Sequence, residues 1–277
     1  MKTRIISGAV LVLVTAAVIT AGNLINPLII TFFIALIAAV SVYELLRNAA
    51  GIANRAAVAG GCVYAFLAVF TLDKNVASLS GKVSVQPLAA AAALSVIYFI
   101  FAAVTILAKH ELFDLVRIFA FAAMPLPVAF AFSTLGFVLN HGNGLFYLLL
   151  LLNFSSICDM GAYFAGVTLG KHKLCPSISP NKTVEGAVGG VLLSLAVSVA
   201  LTFAFSQTAH IAALLLLTVP FCILGMVGDL FASAIKRSAG IKDYGKLIPG
   251  HGGVLDRFDS IIMIAPLFYI FISAGVI

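Results

Sequence analysis

Nine apolar stretches of about twenty residues each follow one another along the chain, near 5–22, 25–46, 56–72, 87–108, 118–139, 144–170, 184–206, 210–235 and 254–275. A helix rises about 1.5 Å per residue, so each stretch can cross the roughly 30 Å hydrocarbon layer of a bilayer. Lipid offers the backbone no hydrogen bonds, which leaves only helices and closed barrels as spanning structures. The stretches are continuous, not alternating, and this excludes a barrel. An all-α, polytopic integral membrane protein of about nine transmembrane helices is therefore predicted. Charge agrees: 9% of the residues are Asp, Glu, Lys or Arg, where a soluble protein carries roughly 25%.

The basic residues set the orientation. With the N-terminus in the cytoplasm, the inner segments hold Lys2, Arg4, Arg47, Arg55, Lys109, Arg117, Lys171, Lys173, Lys182, Lys236, Arg237, Lys242, Lys246 and Arg257, and the outer loops only Lys74 and Lys82. That is the positive-inside pattern. It accounts for the net charge of +6 and removes the reason to expect a nucleic-acid partner. The first apolar run follows Lys2 and Arg4 as a signal peptide's would. It is long, lacks a clear small-residue cleavage site and leads straight into the next span, so it reads as a retained helix. The four cysteines form no CxxC and mostly sit in apolar runs, so neither disulfides nor zinc are expected. Short loops and the lack of a targeting segment fit a multi-pass protein of the bacterial inner (plasma) membrane.

The chain reads as one integral membrane domain whose halves differ. Residues 1–140 are nearly free of ionisable groups within the spans and read as an apolar helical scaffold, with Pro125 and Pro127 expected to kink the fifth span. Residues 141–277 carry the polar groups. In span six, Asp159 lies eleven residues from the inner end, about 16 Å deep; in span eight, Asp229 lies six residues from it, about 9 Å deep. Span nine begins with Asp256 and Asp259 on one face. Spans eight and nine are antiparallel, so Asp229 is expected to meet Asp256 and Asp259 just inside the cytoplasmic interface.

Acids are costly in a bilayer, about 2.5–3.5 kcal/mol each, and are functional by default there. Arg257 and Lys236 could neutralise these as structural ion pairs. The preferred reading is a divalent metal held by Asp229, Asp256 and Asp259, where oxygen ligands without His or Cys favour Mg²⁺ or Mn²⁺ over zinc. Around them crowd Lys236, Arg237, Lys242 and Lys246, with Asp243 and the turn Pro249-Gly250-His251-Gly252-Gly253, whose amides can form an anion nest at the start of span nine. Metal, cations and backbone donors together suit a polyphosphate. Ahead of span seven, Ser179-Pro180-Asn181-Lys182-Thr183-Val184-Glu185 has two readings. Ser179 and Pro180 are explained by helix capping; Lys182, Thr183 and Glu185 add a cation, a hydroxyl and an acid that capping does not require. Of the histidines only His251 earns a role.

The pattern Ser233-x-x-Lys236-Arg237-x4-Lys242-Asp243-x-Gly245, then Pro249-x-His251-Gly252-Gly253-x-x-Asp256-Arg257-x-Asp259, resembles that of the CDP-diacylglycerol synthases, or phosphatidate cytidylyltransferases. Asp159-x-x-Ala162-Tyr163 and the 179–186 segment are similar to that family's as well. The resemblance covers roughly residues 155–260. It implies condensation of CTP with phosphatidic acid to CDP-diacylglycerol and pyrophosphate, with Mg²⁺, a second cation such as K⁺, and a homodimer. Asp229, Lys236, Arg237, Lys242, Asp256 and Arg257 would then be catalytic. Asp159, Ser179, Asn181, Lys182, Thr183, Glu185, Asp243, His251, Gly252 and Gly253 would bind substrate, at an active site facing the cytoplasm. Two other classes remain. A CDP-alcohol phosphotransferase would need DGxxAR…GxxxD…D, which is absent; a secondary transporter would more often show broken helices in matching positions of two halves.

Overall fold

A computed structural model of the protein describes residues 2–73 and 87–277, with the backbone alone for 2–5. Lys74 and Lys82, the two cations assigned to outer loops, lie outside the described residues. The helices are α1 (Lys2–Leu24), α2 (Leu28–Tyr43), α3 (Arg55–Leu72), α4 (Pro87–Ala108), α5 (Leu115–Ala123), α6 (Pro125–Leu139), α7 (Gly144–Leu152), α8 (Cys158–Leu169), α9 (Val184–Ala204), α10 (Ile211–Ser238) and α11 (Leu255–Ser273). A π-helical turn at Glu44–Ala49 continues α2, and another at Asn153–Ile157 joins α7 to α8. Among the described residues, eight stretches are long and apolar enough to cross a membrane. Helix α11 is the ninth; its 19 residues carry Asp256, Arg257 and Asp259 at the start. The protein is an all-α, multi-pass membrane protein.

Local sequence explains several boundaries. Asn54 caps α3, its Oδ1 accepting from Ala56 N at 3.0 Å, and Asp114 caps α5 by accepting from Arg117 N at 2.8 Å. The proline pair at 125 and 127 does more than kink the fifth span: the helix ends at Ala123 and a new one starts at Pro125, because a proline ring cannot continue the ladder behind it. The 179–183 segment departs from its capping reading. Ser179–Thr183 is a strand, β2, paired antiparallel with β1 (Lys173–Cys175), with Lys173 opposite Thr183 and Cys175 opposite Ser179. The cap of α9 is Thr183, whose Oγ1 accepts from Gly186 N at 3.1 Å.

Two units are distinguishable, residues 1–140 with 241–257, and residues 141–240 with 258–277. In the first, α3 packs on α2, α4 and α6. Tyr64 stacks on Tyr98 at 4.5 Å, and buried Asp73 accepts from Thr31 Oγ1 at 2.6 Å and Asn140 Nδ2 at 3.2 Å. In the second, Phe154, Phe221 and Phe268 form the aromatic core, with centroids 5.3–5.7 Å apart. Asn153, in the π-turn, ties this core to α9 by donating to Ser194 O at 3.0 Å and Ser198 Oγ at 2.9 Å.

Helices α8 and α9 meet through glycines. A β-carbon on Gly190 would run into the carbonyl of Cys158, and one on Gly161 into the Cα of Gly190. Small residues of this kind let helices associate in lipid, where there is no hydrophobic drive. Gly190→Val is expected to destabilise the protein by about 1–3 kcal/mol, the usual cost of overpacking. A lower melting temperature in detergent checks this; unchanged melting would mean the two helices part freely.

Candidate active site

In the second unit, three charged side chains converge from three elements. Asp159 follows the π-turn at the start of α8, Lys182 sits on β2, and Asp229 on α10. Lys182 Nζ lies 2.5 Å from Asp229 Oδ2 and 3.9 Å from Asp159 Oδ1. Together with Tyr163, Ser179, Asn181 and Thr183 they line a cavity of about 260 Å³. The hairpin is what makes this possible, since it carries a lysine to two helices. Lys236, buried in the last turns of α10, faces Asp259 at 3.9 Å, and Asp259 Oδ1 accepts from Ser260 N at 2.8 Å. Arg237 is exposed. Glu185 joins neither group: it folds onto the hairpin, accepting from Lys171 N at 3.0 Å and His172 N at 3.1 Å and pairing with the His172 ring.

In the first unit, the loop after α10 borders an open cavity of about 690 Å³ lined by Lys242, Asp243, Lys246, His251, Gly252 and Arg257. The chain turns there through Gly250 and Gly252, whose φ angles of +79° and +88° disfavour any other residue. His251 is tied to α1, its Nδ1 lying 2.7 Å from Ser7 Oγ. Below the turn, Asp256 Oδ2 accepts from Tyr244 N at 2.8 Å and Gly253 N at 2.9 Å. Glu44, from the π-turn after α2, accepts from Val254 N at 3.0 Å and Leu255 N at 2.8 Å. Asn48 adds a bond from its Nδ2 to Tyr244 O at 2.6 Å.

Two amides of the 249–253 turn, read from the sequence as an anion nest, are engaged within the protein, that of Gly253 by Asp256 and that of His251 by the Ile248 carbonyl, and the next two amides go to Glu44. The cavity is cationic through side chains instead. Glu44 itself escaped the sequence reading, because an acid closing an apolar run looks like an ordinary boundary charge; its only sequence signal is that it is the one charged residue of the apolar run 25–46. Of the three acids grouped from sequence, Asp229 faces Lys182 and Asp259 faces Lys236 in the second unit, and Asp256 accepts from loop amides in the first. Among the described residues, no three His, Cys, Asp or Glu side chains gather as a metal site.

Two carboxylates nonetheless suffice for one hard cation. Mg²⁺ commonly uses one or two protein carboxylates and completes its shell with water and substrate phosphate. Asp159 and Asp229 flank a single lysine with oxygen donors only, a set that fits such an ion.

Residues 2–274 match the model of the cytidylyltransferase family. The chain belongs to that family. Among its relatives in the cytidylyltransferase family, the phosphatidate cytidylyltransferase of Staphylococcus haemolyticus is 46% identical over 131 residues, 47% of this chain and 50% of that protein. That of Staphylococcus saprophyticus is 42% identical over 143 residues, covering 50% and 55%, and that of Staphylococcus aureus 42% over 140 residues, covering 50% and 54%. The chain spans about half the length of the curated relatives it matches.

Proposed function

We propose that the protein is a phosphatidate cytidylyltransferase, joining the phosphate of phosphatidic acid to the α-phosphorus of CTP and releasing pyrophosphate. The observation that carries this reading is the cavity lined by Lys242, Lys246 and Arg257 in a chain that matches the cytidylyltransferase family along its length. Both substrates are anions, so bringing them together is mainly an electrostatic problem.

Lys242, Lys246 and Arg257, in the first unit, neutralise the triphosphate, with Asp243 and His251 lining the same cavity. In the second unit, Lys182 is the cation for the phosphatidate phosphate, with Ser179, Asn181 and Thr183 beside it. Lys236 and Arg237 add positive charge at the end of α10. Phosphatidate is already ionised at neutral pH, so no general base is required, and the residues act by binding and orientation. Asp229, read from the sequence with Asp256 and Asp259 as a metal ligand, is proposed to hold Mg²⁺ together with Asp159 beside it. When bound, Mg²⁺ supplies charge neutralisation on the phosphates and on departing pyrophosphate. A second cation such as K⁺ and a homodimer are part of the same proposal. So are a cytoplasmic N-terminus, an inner-membrane location and an active site on the cytoplasmic side, where CTP is present.

The deciding assay uses purified protein, labelled CTP and phosphatidic acid. The expected result is Mg²⁺-dependent formation of a CDP-lipid with equimolar pyrophosphate. Neither product forming, across a Mg²⁺ titration, would overturn the reading.

A further inference from the structure

We infer that Glu44 is a positioning residue for nucleotide binding: a buried carboxylate on α2's terminal turn that sets the shape of the cation-lined loop, a role that rests on the cytidylyltransferase reading above.

Glu44 is 3% exposed and closes a helix that is otherwise apolar. A carboxylate in that setting is expensive unless its oxygens are satisfied. Here both are. Oε1 takes the amide of Val254 and Oε2 that of Leu255, residues 210 and 211 positions further along the chain. These are the first amides of α11, so the negative charge also meets the positive end of that helix.

The loop is built around the same group. A β-carbon on Gly245 or on Gly253 would overlap the Glu44 carboxylate, so the backbone closes over the acid from two sides. Asp256 completes the clamp from within by binding the amides of Tyr244 and Gly253. Residues 244–245 and 253–255 are thereby pinned to two acids, while the loop between them turns through Gly250 and Gly252. Lys242, Lys246 and Arg257, the cations of the cavity, lie within two residues of these pinned points. Their spacing depends on a residue in a part of the chain that otherwise reads as scaffold. Glu44 touches no substrate in this account; it acts through the loop.

Glutamine is the sharp test. It has nearly the shape of glutamate but one acceptor oxygen, so one of the two loop amides would face an NH₂ group instead of an acceptor. For Glu44→Gln, the Michaelis constant for CTP is expected to rise about 10- to 100-fold, the scale set by one charge-assisted hydrogen bond, while that for phosphatidic acid stays within about 2-fold. Hydrogen–deuterium exchange should quicken over residues 244–255 and stay unchanged in α3 and α9. Glu44→Ala should show the same pattern more strongly. A merely structural acid would lower the active fraction, leave both Michaelis constants alone and raise exchange throughout the helices. That result would overturn the inference, as would wild-type exchange over 244–255. If the wild-type protein forms no CDP-lipid, it is the proposed reaction that has failed, and the exchange over 244–255 still decides whether Glu44 holds the loop.

Discussion

Asp229→Asn is expected to lower turnover by about 1,000-fold or more while leaving a folded protein. The side chain keeps its size but loses the charge that faces Lys182 Nζ at 2.5 Å. Lys182 still has Asp159 within 3.9 Å, so no cation is stranded and the fold survives. Catalysis has no such reserve. A divalent cation contributes several kcal/mol of charge stabilisation in phosphoryl chemistry, and each 1.36 kcal/mol is a factor of ten in rate. Measuring CDP-lipid formation across a Mg²⁺ titration, with Mn²⁺ binding followed by electron paramagnetic resonance, checks both halves. Binding should weaken together with turnover. Near wild-type activity at every Mg²⁺ concentration would remove Asp229 from the metal's ligands.

How far the sequence could be read depends on the kind of signal. Apolar length is local and unambiguous, so the span predicted at 87–108 coincides with α4, and that at 56–72 differs from α3 by one residue. Within spans it misses interruptions: 144–170 is one apolar run yet contains the π-turn Asn153–Ile157, because widening a helix by one residue leaves hydropathy unchanged. The hairpin at 173–183 was hidden by its own residues. Ser179, Pro180 and Asn181 look like a helix start, and only pairing with β1 reveals a strand.

The candidate site shows the same division. Asp159, Lys182 and Asp229 were each conspicuous as charges in or beside apolar spans. That the lysine lies between the acids is a tertiary fact, created by the hairpin. Glu44 is the harder case. Its partners are more than 200 residues away and are backbone amides, which carry no sequence signature at all. Both described π-turns lie where such polar residues are delivered, one bearing Glu44 and one ending two residues before Asp159. A wider turn is one way to aim a side chain that a regular helix would point elsewhere.

Lys182→Met separates the two duties assigned to that lysine. Methionine fills similar space without charge, and leaves Asp159 and Asp229 with no shared cation. Both acids keep some exposure, 44% and 25% of the side chain, so solvent moderates their repulsion. The stability loss should be about 1 kcal/mol, a fall of roughly 2–4 °C in melting temperature. Turnover should fall far more, by about 100-fold or beyond, because the lysine is also the proposed cation for the phosphatidate phosphate. Adding Asp159→Asn tells the duties apart. With one acid neutralised the repulsion is gone, so the melting temperature of the double variant should return to within a degree or two of wild type. Turnover should not return, since nothing has replaced the ammonium group. If the double variant regained both, Lys182 would be a structural counter-ion only, and the phosphatidate phosphate would have to be neutralised by other cations of the chain.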